Sequence, residues 1–241
     1  MTGEGGLKAT GVALEQVIFF DLDGTLLDHE TAVRAGVASF LGVFRDQFPG
    51  DAEAFFRRWE ATAEKYLESY DTGKPVSFQA QRRRRMNDIF GRVLPEDDAD
   101  RKFQVYLEAY EAHWRLYPDA EPCLNALRGR AIGLITNGDG TQQRAKLAKV
   151  GFSKLFSPAI ISREVGWAKP QAEIFEIAAQ EAGVPASRCL YVGDRLESDA
   201  RAAARAGMRG IWLNRKDHAQ AQGITTIHGL TELPGIISNF A

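Results

Sequence analysis

Two aspartates separated by a single residue, Asp21 and Asp23, stand where the apolar run Val17–Phe20 gives way to Gly24. Strands have a period of two, so the two carboxylates would share one side if the strand continued. Side by side they would repel unless a cation lay between them or the pair shared a proton. Asp-Gly also follows strands in ordinary turns. That plainer reading loses weight because three further chemistry-bearing segments follow in order, each at a predicted strand or helix end.

The first is Ile135-Thr136-Asn137-Gly138, after the apolar run from Ala131. There the Thr136 hydroxyl and the backbone donors of Asn137 and Gly138 can take an anion at a strand terminus. The second is Lys169-Pro170. Proline suits the first turn of a helix, which would put Lys169 at a positive helix end that favours phosphate. The third runs from Gly193 through Asp194 to Asp199, with a strand expected before it and an alanine-rich helix after it.

On these residues the chain resembles the phosphatases of the haloacid dehalogenase superfamily, subfamily IA-like, with a helical C1-type cap inserted after the first motif. Tyr117-Pro118 and the Ala206-Gly207-Met208 run extend the likeness over roughly residues 17–215. Each motif alone is weak, and the ordered set is strong. Two positions depart from the family pattern: Gln171 where it often has Asp, and Arg195 where it often has Ser or Thr.

The resemblance implies that Asp21 is the nucleophile and forms an aspartyl phosphate, a recognised covalent strategy for a carboxylate. It implies that Asp23 protonates the leaving oxygen and later draws a proton from water. Mg2+ would be held by Asp21, the backbone carbonyl of Asp23 and Asp194, an oxygen-only donor set. Thr136, Asn137 and Lys169 would bind the phosphoryl group. Asp199 would sit behind them, orienting Lys169 or holding a metal-bound water.

The acid at position 23 argues for an oxygen leaving group, because halide needs no proton to depart. A sugar phosphomutase of the same capped branch needs the same acid and stays open as an alternative. Behind it stand a 2-haloacid dehalogenase and a non-catalytic binding module. The expected substrate is a small soluble phosphate ester, since a closing helical lid shuts out water and polymers. Sugar phosphates, nucleoside monophosphates and phospho-acids are not distinguished, and oligomeric state is not readable.

Composition bounds the other classes. With 241 residues, 44% of them apolar, the chain can bury a sizeable core. Thirty basic and 32 acidic residues give a net charge of -2, so no global field favours nucleic acid or an anionic membrane. Cys123 and Cys189 lie far apart and in no metal-ligand spacing. Reduced thiols and a cytoplasmic location are therefore expected. Residues 1–14 read as a loose tail without the apolar core of a signal peptide.

Positioning falls to alternating elements. Strand-like runs at 17–21, 131–135, 159–161, 189–193 and 210–213 alternate with helical stretches near 120–129, 141–150, 170–182 and 198–206, which implies a Rossmann-like parallel sheet with helices on both faces. Ligands of such sheets sit beyond the carboxyl ends of the strands. The core is assigned to 15–29 and 117–241, and the helical cap to 30–116. Within the latter, Phe55, Phe56, Trp59, Ala63, Tyr66, Leu67 and Tyr70, then Phe103, Tyr106, Leu107, Tyr110 and Trp114, recur at helical spacing. Such stripes are more often core than cavity lining. The run Arg82, Arg83, Arg84, Arg85 points four ways around a helix, so most of it is expected in solvent. The alternative is that one guanidinium reaches the cleft and holds a second anionic group of the substrate. His29, His113, His218 and His228 form no metal spacing and are assigned to packing or exposure.

Overall fold

The computed structural model describes residues 16–68, 77–217 and 219–238. Six strands form one parallel sheet: β1 (Val17–Phe20), β2 (Ala131–Thr136), β3 (Ala159–Ile161), β4 (Cys189–Gly193), β5 (Arg209–Leu213) and β6 (Thr225–Ile227), in the order β3-β2-β1-β4-β5-β6. β1 is buried at all four positions and β4 at all five. Both faces are covered, which is why these strands read as continuous apolar runs instead of alternating ones. One face packs Ile18, Phe20, Leu134, Leu190 and Ile211, and the other Val17, Phe19, Ile135, Phe175 and Tyr191.

Four long helices follow β1: α1 (His29–Phe44), α2 (Ala52–Glu68), α3 (Phe78–Phe90) and α4 (Glu96–Ala112). They form the helical cap and own a separate core, in which Phe40, Trp59, Met86, Ile89, Phe103, Tyr106 and Tyr110 are buried. Gly36 lets α1 lie against α4, since a Cβ there would come within 2.5 Å of the Tyr106 ring. The two links between cap and sheet run side by side. Asp28 caps α1 by accepting from the Thr31 amide at 3.2 Å, holds Arg115 at 2.9 Å, and donates its own amide to the Arg115 carbonyl at 3.0 Å. Leu27 and Leu116 meet there in an antiparallel bridge.

The core helices are α5 (Ala120–Ala126), α6 (Gly140–Lys149), the single turn α7 (Ser162–Val165), α8 (Ala172–Glu181), α9 (Ala202–Arg205) and α10 (Leu233–Ser238). The turn ahead of α9, Leu196–Arg201, is a π-helix. Single π turns inside helices often accompany functional sites, and this one carries Asp199.

The structure departs from the sequence-based expectations at several points. β6 lies outside the expected strands, because three residues including two half-exposed threonines make no apolar run. β1 ends at Phe20, so Asp21 and Asp23 do not share a strand face. Pro170 is not in the first turn of a helix: the Lys169–Pro170 peptide is cis, and α8 starts at Ala172 with Gln171 as its N-cap. The Gln171 side chain accepts from the Ala168 amide at 3.0 Å and closes the turn that carries Lys169. Of the four arginines only Arg84 is exposed. Tyr70, His218, the tail at 1–14 and the Leu67 side chain lie outside the described residues. Among those described, no helix is long and apolar enough to cross a membrane.

Candidate active site

The carboxyl ends of β1, β2 and β4 meet at the centre of the sheet, where the chain order switches sides, and they deliver Asp21, Thr136 and Asp194 to one edge. Lys169 enters from the turn before α8. Its ammonium has three hydrogens and three acceptors: Asp21 Oδ1, Asp199 Oδ1 and the Tyr191 hydroxyl, each at 2.7 Å. Lys169, Asp21 and Asp199 are all buried. The remaining Asp199 oxygen accepts the Arg195 amide at 2.9 Å. Both Asp199 oxygens are thus engaged, one with the Lys169 ammonium and one with the Arg195 amide.

Oxygens of Asp21, Asp194 and Asp199 lie within 4.8 Å of one another, with one ammonium among them. Burial, which outweighs the neighbouring Lys169, pushes the Asp21 carboxyl up to about 7, and the charges of Asp199 and Asp194 add to the rise. Burial and Asp199 likewise push Asp194 up to about 6. Gly24, at φ +89°, closes the space from below: a Cβ there would come within 2.4 Å of Asp194 Oδ2. Three clustered acids short of positive charge, offering oxygen donors only, fit a hard divalent cation such as Mg2+.

Asp23 turns the other way, into a nest of donors. Lys146 Nζ reaches its two oxygens at 2.8 and 2.6 Å, Gln143 Nε2 donates at 3.0 Å, and His29 Nδ1 lies at 3.4 Å. Burial pushes the Asp23 carboxyl up, but Lys146 and His29 together overcome it and hold the group well below the usual carboxylate range. The Asp23 side chain is thus turned to α6 and α1 and is not among the clustered acids. Gln143 also donates to the Thr136 hydroxyl at 2.8 Å, linking β2 to the acid.

These two residues come from α6, whose N-cap Asp139 accepts the Gln142 amide at 3.1 Å. Gln143, Lys146 and Leu147 form its buried face at i, i+3 and i+4. The Asn137 side chain clamps Lys169, accepting from the backbone amide and donating to the carbonyl, both at 2.9 Å. Its own backbone amide is what it can offer an anion. The Gly138 amide is taken by the Ser162 hydroxyl at 3.0 Å.

Sequence reasoning missed Gln143, Lys146 and Tyr191, and it assigned His29 to packing or exposure. The available signal was two polar residues, Gln143 and Lys146, on the face of α6 where its apolar stripe should run. Of the other histidines, His113 is exposed and bonds the Ala109 carbonyl, while His228 bonds the Asn214 carbonyl. Cys123 and Cys189 are buried free thiols.

The sequence profile of the haloacid dehalogenase-like hydrolases matches residues 15–207, and the chain belongs to that family. Within it the curated relatives stand among the phosphatases. The pyrimidine 5'-nucleotidase YjjG of Escherichia coli is 33% identical over 91% of this chain and 96% of its own length. The phosphoserine phosphatase of Thermus thermophilus is 32% identical over 83% of this chain and 89% of its own. Among solved structures, the 2-haloacid dehalogenase of Pseudomonas syringae superposes with a TM-score of 0.69 at 26% identity, covering 94% of this chain and 99% of that one.

Proposed function

We propose that the protein is a Mg2+-dependent phosphomonoesterase that hydrolyses a small soluble phosphate ester through an aspartyl phosphate on Asp21. The observation that carries this reading is the opposed setting of Asp21 and Asp23. One carboxylate lies among acids beside a single lysine, and the other, two residues on, lies among donors. A cation bound by Asp21, the Asp23 carbonyl and Asp194 would neutralise charge on the phosphoryl oxygens.

In the first step an Asp21 oxygen attacks phosphorus. A P–O bond forms to the carboxylate, the ester P–O bond breaks, and the leaving oxygen takes a proton from Asp23. In the second step Asp23 accepts a proton from water as the water oxygen attacks phosphorus, releasing phosphate and restoring Asp21. Thr136, the Asn137 amide and Lys169 are assigned to the phosphoryl oxygens. All three Lys169 hydrogens are engaged at rest, so its contact with phosphate replaces one of them. Asp23 is held ionised at rest, so before the first turnover it must take up a proton from solvent as its ion pair with Lys146 loosens on substrate entry. The second step then returns it protonated for the next cycle. The helical cap, assigned to 30–116, closes over the site and sets substrate choice.

The test is hydrolysis of p-nitrophenyl phosphate with Mg2+, followed by acid quench and borohydride trapping of the phosphoenzyme. A modified Asp21 and loss of turnover in excess chelator are expected. Full turnover in metal-stripped protein, or a modification on any other residue, would overturn the reading.

A further inference from the structure

The arginine run of α3 divides by partner. Arg83 is paired with Asp100 and Glu96, and Arg84 is in solvent. Arg82 and Arg85, three residues apart and so on one helix face, have no carboxylate against them among the described residues. Arg82 makes no hydrogen bond there at all, and its guanidinium lies over the rings of Phe78 at 4.4 Å and Phe103 at 5.1 Å. Arg85 lies 4.5 Å over Trp59 and spends one hydrogen on the Trp59 carbonyl at 3.1 Å. The Nε of each is buried without a partner. Arginine cannot shed its charge, so two half-buried guanidiniums side by side repel and leave donors idle.

Their helix borders the active site. Phe78 and Gln81, on the first turn of α3, line a cleft with Asn137 and Gly138 of the β2 loop. Arg82 feels the charge of Asp139 in the same loop. Beyond Arg85 the wall continues through Tyr106, stacked 5.4 Å from Tyr110, whose hydroxyl meets His29 at 3.2 Å, and His29 meets Asp23. A purely structural cation–π role would use only the faces of these guanidiniums. It gives no reason for two charges to stand side by side on the helix that borders the cleft with buried donors unspent.

We propose that Arg82 and Arg85 form an anion subsite in the cap wall that binds a second oxyanion, carboxylate or phosphate, of the same ester whose phosphoryl group goes to Asp21. The proposal rests on the phosphomonoesterase reading. It narrows the substrate class to esters with two anionic ends. The planar fork of each guanidinium matches an oxyanion edge-on while its face stays on the aromatic rings.

The test compares matched esters in the wild type and in Arg82→Met, Arg85→Met and the double variant: 3-phosphoglycerate against glycerol 3-phosphate, and fructose 1,6-bisphosphate against fructose 6-phosphate. In the wild type at least one dianionic-ended member should lead its partner by about tenfold or more in kcat/KM, and the leading pair identifies carboxylate or phosphate as the ligand. Each variant should cut that lead at least severalfold, through KM more than kcat. A ratio near one in the wild type, or an equal loss on both members in the variants, would overturn the subsite. Arg82→Met makes the experiment robust to folding, because Arg82 gives up no hydrogen bond. Calorimetric binding of 3-phosphoglycerate and fructose 1,6-bisphosphate supplies a readout apart from turnover: binding retained in full by the double variant refutes the subsite even if no ester is hydrolysed. Failure of p-nitrophenyl phosphate hydrolysis, by contrast, refutes the phosphomonoesterase reading and leaves the binding comparison to decide the subsite.

Discussion

Asp21 and Asp23 are separated by one residue and live in opposite fields. Around Asp21 the carboxylates outnumber the cations, with Asp194 and Asp199 against Lys169 alone. Around Asp23 the donors outnumber the acid, with Lys146, Gln143 and His29 against one carboxyl. Environments that push two neighbouring titrating groups apart divide labour between them. A site short of positive charge suits a cation from outside, whereas a site rich in donors holds its acid ionised and in place. The contrast is built by topology: β1 ends between the two residues and the core, so the chain turns and sends one side chain toward β4 and the other toward α6.

The comparison breaks most visibly at the nucleophile. Asp21→Asn keeps the shape and removes the attacking carboxylate, and it should lower kcat on every phosphate ester by about 10⁴-fold or more, with no phosphoenzyme trapped. If the Asp21→Asn variant still accumulated acid-stable phosphoprotein, the nucleophile would lie elsewhere.

A smaller and more selective loss is expected on the other side. Asp23→Asn should slow alkyl phosphates by about 10²–10⁴-fold and aryl phosphates much less, because a phenolate leaves without much help from a proton. Lys146→Met probes whether the donor nest matters to that role. If Lys146 positions Asp23, the variant should reproduce the alkyl-over-aryl pattern at about tenfold to a hundredfold, in kcat and not KM. Equal losses on alkyl and aryl esters, or a loss confined to Tm, would reduce Lys146 to a structural ion pair.

Much of this was legible before the structure. Five of the six strands stand in continuous apolar runs, three of them closed by the motif residues Asp21, Thr136 and Asp194, and that signal survives because both sheet faces are covered. What escaped was whatever depends on a partner distant in sequence. Nothing local to Lys146 says that its ammonium meets Asp23, 123 residues away. Nor does the Lys169-Pro170 pair announce that it lies in a turn clamped by Asn137 instead of in a helix. The arginine run illustrates the same limit. Helical geometry fixes that the four side chains diverge, but which one finds carboxylates depends on where α4 lies, since the Asp100 and Glu96 that hold Arg83 belong to it. The aromatic stripes of α2 and α4 were readable as core because helical period alone determines them.

The smallest effect should come from Tyr191, which sits behind the Asp21 side of the comparison and takes no part in bond making. Its hydroxyl accepts from Lys169 at 2.7 Å and lies 3.1 Å from both Asp199 Oδ1 and the Ile135 carbonyl. Tyr191→Phe deletes one of the three acceptors of the ammonium in a buried site, which should cost about 1–3 kcal/mol of stability, read as a lower denaturation midpoint. Asp21 and Asp199 still hold the lysine, so its position should survive. The freed N–H then points into the site, where a phosphoryl oxygen can take it without displacing a partner. The expected kinetic change is therefore within about tenfold and uniform across esters, with KM no higher than in the wild type. Assays across several esters, run beside chemical denaturation, check both halves. A KM that rises strongly on all of them would mean that Tyr191, and not the pair of carboxylates, fixes Lys169 in place.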